Sequence, residues 1–147
     1  MDDDKLSIAQ AEQSYIEDLN MLGDWFLQYE YLLRISAPLP RIPPERRTED
    51  KRVKGCQSGV WLELAYRGGR VFVAADSEAL IIRGILSIAV YLLNGRTAQE
   101  IADYTPRYIE ATEIRRQIST DRFNGLRSVI DTVRAFASAQ LAEGSHE

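Results

Sequence analysis

The chain of 147 residues contains one cysteine, one histidine and two methionines. A lone thiol excludes an intramolecular disulfide, and one Cys with one His cannot build a closed metal cage. That histidine, His146, sits in the tail, so a thiol nucleophile with an ordered histidine base is excluded as well. No G-x-G-x-x-G or P-loop lysine pattern is present, which removes the usual cradles for nucleotide phosphates. The longest uncharged apolar run, Gly84 to Leu93, is about half of the ~20 residues a membrane span needs. An excess of positive charge is also missing. A net charge of −4 and a pI near 5.1 argue against a general nucleic-acid binder. Met1-Asp2-Asp3-Asp4-Lys5 has no apolar h-region, and the single thiol suits a reducing compartment. The expectation is a cytoplasmic protein with no membrane segment, no nucleic-acid partner, no metal and no cofactor of its own.

With 45% apolar and 27% charged residues, the chain has ordinary globular composition and the length of one domain. That domain is expected over residues 1–147, with a core of about 7–140. Apolar spacing predicts a helix from Ser7 to Asn20. Asp24 is placed to cap a second, carrying Trp25, Tyr29, Leu32 and Leu33 on one face. Four of the five prolines fall between Pro38 and Pro44, so residues 38–50 read as an extended loop. A short strand is predicted around Arg52-Val53. A hairpin follows, from Val60 to Tyr66, through Gly68-Gly69, and back over Arg70 to Ala75. Asp76 or Ser77 would cap a helix from Glu78 to Leu93 that is apolar nearly all round and therefore central. Thr97-Ala98-Gln99-Glu100 has the form of a capping box. Pro106 interrupts the chain before a last helix from Ser119 to Gln140, with polar, frayed tails at either end. The expected class is α+β, a small antiparallel three-stranded sheet packed by helices.

Cys56 occupies the tip between the first two predicted strands. A free cysteine is most often a small buried hydrophobe. Three features favour chemistry instead: the loop location, Gly55 with its wide backbone freedom, and Lys51, Arg52 and Lys54 just upstream, since nearby cations favour the thiolate. The run Arg41, Arg46, Arg47, Lys51, Arg52, Lys54 reads most simply as a solvated loop, and more sharply as a surface that orients a partner around Cys56. Arg122 opens the last helix, where a cation meets the positive end of the dipole, which hints at a role outside the helix.

Arg52-Val53-Lys54-Gly55-Cys56-Gln57-Ser58-Gly59-Val60-Trp61 resembles the signature of the SufE family, sulfur acceptors of iron–sulfur cluster assembly. Asp76-Ser77-Glu78-Ala79-Leu80-Ile81-Ile82-Arg83-Gly84 is similar to that family's acidic loop and central helix. Arg122-Phe123-Asn124-Gly125-Leu126 is similar to the start of its last helix. The chain departs from the pattern at Gly59, Asp121 and Val129. The resemblance implies a fold shared with IscU-type scaffolds and makes Cys56 the persulfide-forming acceptor. Gly55, Gln57, Ser58, Asp76 and Glu78 would support its loop, and Arg122, Arg52 and Lys54 would serve partner binding. It further implies a pyridoxal-phosphate-dependent cysteine desulfurase of the SufS or CsdA type as partner and a downstream Fe–S scaffold. The chain would then activate that desulfurase rather than act as a free-standing enzyme, with Cys56 sheltered at rest beside Val60, Trp61 and Leu62. The alternatives are an interaction module or a cluster scaffold in which Cys56 carries no persulfide.

Overall fold

The computed structural model describes residues 6–55 and 59–144. Two helices open the chain, α1 (Ile8–Leu22) and α2 (Trp25–Ser36). Ser7 and Gln10 form a reciprocal capping box on α1, and the Asp24 carboxylate accepts the Phe26 N–H of α2 at 2.8 Å. The buried positions of α2 are Gln28, Leu32 and Ser36. Its aromatic flank lies further out than the sequence suggested: Trp25 is half-buried, and Tyr29 is exposed in a T-shaped contact with it.

The sheet has the order β1-β2-β3, with β1 Val60–Arg67, β2 Arg70–Ser77 and β3 Arg96–Thr97. Gly68 and Gly69, both at positive φ, close the hairpin on the pair Arg67↔Arg70. The third strand is a correction. Arg52-Val53 contributes only an isolated bridge, Arg52↔Trp61, because Glu49–Lys51 coils into a 3-10 turn and leads the chain away from the sheet. The third strand proper comes from Arg96–Thr97 on the far side of β2.

Helix α3 (Leu80–Leu93) runs beneath the sheet and is buried from Ile82 to Val90. Gly84 lets it approach α2: a Cβ there would stand 3.1 Å from Leu32. The short α4 (Ala98–Ala102) opens on the Thr97/Glu100 capping box, followed by α5 (Ile114–Gln117) and the long α6 (Thr120–Gly144). Helix α6 continues past Gln140 through residues expected to fray. It buries Leu126, Val129, Ile130, Val133 and Ala137, with Phe136 half-buried beside them. Buried Glu12 fastens α1 to the segment after α4. It accepts the Tyr104 hydroxyl at 2.7 Å and the backbone N–H groups of Arg107 and Tyr108 at 2.8 and 3.0 Å. Among the described residues no helix is long and apolar enough to cross a membrane.

Candidate functional site

Cys56, Gln57 and Ser58 lie outside the described residues, as does His146. The two ends of their loop are described. Gly55 has φ +88°, a left-handed conformation that a side chain would strain. Just before it, the Val53 N–H donates to the Val60 carbonyl at 2.8 Å; just after it, the Gly59 carbonyl accepts the Glu78 N–H at 3.3 Å. The loop is thus pinned at its base to β1 and to the turn ahead of α3. Gly59 itself is packed under an aromatic ring. A Cβ there would come within 2.5 Å of the Trp61 indole, so this chain can place Trp61 over the loop base only with glycine at position 59. Val60, Trp61 and Leu62 are all buried.

Asp76 does not cap α3. The helix starts at Leu80 with Ala79 before it and no side-chain cap, while Ser77 Oγ accepts the Ala79 N–H at 3.2 Å in the approaching turn. Asp76 instead pairs across the hairpin with Trp61 and is fully buried. Its carboxylate accepts Arg41 Nε at 2.9 Å, Arg47 Nη2 at 3.1 Å and Arg83 Nε at 3.1 Å, with the N–H groups of Ile42 and Ser77 at 2.8 Å. Burial by itself would raise the Asp76 pKa, but the hydrogen bonds from Arg41, Ile42 and Ser77 outweigh it and hold the carboxyl below its ordinary value. The Arg47 guanidinium also lies over the Trp61 ring, 5.1 Å from its centroid. Arg83 reaches back to the carbonyls of Ser36 and Leu39, both at 2.7 Å. One carboxylate therefore ties together the end of α2, the Pro-rich segment, β2 and α3.

Glu63, on β1 two residues beyond Trp61, repeats the arrangement. It accepts Arg46 Nε at 3.1 Å and Nη2 at 2.9 Å, and Lys51 Nζ at 2.8 Å. Hydrogen bonds from Arg46 and then Lys51 lower its pKa to about 2. This corrects the reading of the basic run as merely a solvated loop: Arg41, Arg46, Arg47 and Lys51 clamp the Pro-rich segment onto the sheet. The two cations nearest the loop are differently placed. Arg52 lies 3.7 Å from Glu49 on an exposed face, and Lys54 is exposed. Glu78 is exposed at the loop base, and Arg122 is exposed in the first turn of α6, its N–H bonded to Ser119 Oγ at 3.1 Å.

Gly55, Asp76 and Glu78, which the sequence assigned to the loop, lie at its base or beside it; the arginines that hold Asp76 were missed. The available signal was Arg83, a lone cation in an otherwise apolar helix. Among the described residues no group of three His, Cys, Asp or Glu side chains is placed to hold a metal ion.

Comparison with known proteins agrees with this architecture. A solution structure of a hypothetical protein from Thermus thermophilus superposes with a TM-score of 0.71 over 92% of this chain and 96% of its own, at 20% identity. A SufE-like protein of Rhizobium etli is 33% identical over 149 aligned residues, spanning 95% of this chain and 97% of its own length. One from Rhizobium meliloti is 32% identical over 136 aligned residues, 86% and 94% of the two chains. The profile of the SufE domain, described as an Fe–S metabolism associated domain, matches residues 13–137. The chain belongs to the SufE family.

Proposed function

We propose that this protein accepts sulfane sulfur on Cys56 from the persulfide of a pyridoxal-phosphate-dependent cysteine desulfurase, stimulates that enzyme, and passes the sulfur on for iron–sulfur cluster assembly. The step is a thiol exchange. The Cys56 thiolate attacks the terminal sulfur of the partner's cysteine persulfide, the S–S bond in the partner breaks, and the partner's thiolate leaves. Cys56 gains one sulfur and the desulfurase thiol is free for another turnover, with no external oxidant or reductant.

The observation that carries the reading is a single thiol in a loop whose two ends are hydrogen-bonded to rigid structure, in a chain of the SufE family. Membership of that family supports an Fe–S setting. The pinned ends hold the base of the loop in register with β1. The buried Trp61 ring over Gly59, at the loop base, supports sheltering, which protects a persulfide from oxidation and reduction in solution.

The test is desulfurase turnover with and without this protein, using native chain and Cys56→Ser. Stimulation by the native chain that Cys56→Ser abolishes is the expected result. Equal stimulation by both proteins would make the chain an interaction module and end the carrier reading.

A further inference from the structure

The two edges of the sheet are treated differently. On the β2 side, the Val71 carbonyl accepts the Gly95 N–H at 2.8 Å, and the Val73 N–H donates to Asn94 Oδ1 at 2.8 Å. That edge is closed by β3 and a side-chain amide. On the β1 side, closure starts and then stops. The Arg52↔Trp61 bridge, with the Val53 N–H on the Val60 carbonyl, covers the edge as far as Leu62. There the 3-10 turn at Glu49–Lys51 peels the chain off.

Which groups remain follows from the register. A two-residue turn makes Arg67↔Arg70 a hydrogen-bonded pair, so Ala65, Glu63 and Trp61 also bond inward to β2. The alternate residues Leu64 and Tyr66 turn their N–H and C=O groups outward. Among the described residues no segment is paired with them there. An open edge of this kind is a template for strand addition.

Beside it lies an open groove of about 420 Å³. Leu62 and Leu64 line one side, Ser128 and Thr132 of α6 another, and Lys51, Arg52 and Lys54 stand at the end that leads into Gly55. Of the three cations in this lining, Lys51 is held by Glu63, while Arg52 and Lys54 are exposed, against one acidic residue, Asp50. Tyr66, 39% exposed, lies further along the strand, away from that basic end.

We infer that this groove receives an extended, acidic peptide segment of the desulfurase, which adds to β1 as a strand. Its backbone pairs with Leu64 and Tyr66, and its carboxylates meet Arg52 and Lys54. Docked this way, the segment brings the partner alongside the residues that lead into Cys56. The inference rests on the proposed function and adds to it where and how the partner is held.

Residue-resolved amide exchange on the native chain, alone and with a purified SufS-type desulfurase that loads Cys56, tests it directly. The Leu64 and Tyr66 amides should exchange about tenfold or more slowly in the complex. Tyr66→Pro removes an outward N–H without touching the hairpin ladder and should weaken desulfurase binding about tenfold, whereas Tyr66→Ala should not. Lys54→Glu should weaken it as well. If Cys56 is loaded while the Leu64 and Tyr66 amides exchange as in the free chain, the docking edge is wrong and the carrier role stands. If those amides slow only as the chain self-associates, the occupant is a second copy and the inference is overturned. If the desulfurase neither binds nor loads the native chain, the functional reading fails and takes this inference with it.

Discussion

Asp76 and Arg122 carry opposite expectations although both are charged. Asp76 is buried among Arg41, Arg47 and Arg83, so removing its charge leaves guanidinium groups without their anion. Breaking a buried pair from one side costs about 3–5 kcal/mol, and Asp76→Asn should lower the melting temperature by about 10 °C. A loss of only a degree or two in a thermal melt would mean that the arginines find other partners. Arg122 is exposed in the first turn of α6, where the helix dipole disfavours a cation. Arg122→Ala should leave stability within about 0.5 kcal/mol of native while weakening desulfurase stimulation. A large drop in melting temperature with full stimulation would make it a structural residue. The sequence showed that Arg122 sits against the local field. It could not show Asp76 as a hub, because an acid ahead of an apolar helix looks like a cap until the distant Arg41 and Arg47 are brought to it.

At the scale of elements, the Pro-rich segment is held to the sheet by ion pairs as well as by apolar contacts through Ile42. Its grip therefore depends on pH. The Glu63 carboxyl falls from an ordinary value of 4.5 to about 2, so the stability it contributes is complete above pH 4.5 and is lost as pH falls toward 2. Glu63→Gln should be less stable than native at neutral pH, and the difference should vanish between pH 4.5 and 2. A difference that persisted to pH 2 in acid unfolding curves would show that packing, not charge, binds this segment. The hairpin, the central helix and the Thr97 capping box were legible because each has a local signature of turn glycines, apolar continuity or paired polar residues. The third strand was not. Two residues are too few for a period of two to register, and Arg52-Val53, the more strand-like candidate, is diverted by the 3-10 turn before it.

Over the whole molecule, buried side chains from α1 to α6 and all but the shortest strand form one continuous cluster around α3. That body carries the two ends of the Cys56 loop, and the ion pairs of Asp76 and Glu63 clamp its surroundings. With one cysteine in the chain, the proposed function is stoichiometric, one persulfide per chain. Incubated with an active cysteine desulfurase and free cysteine, the native chain should gain about 32 Da on intact-protein mass spectrometry, reversed by a thiol reductant and absent in Cys56→Ser. An unmodified native chain beside a desulfurase that turns over cysteine would contradict the carrier role.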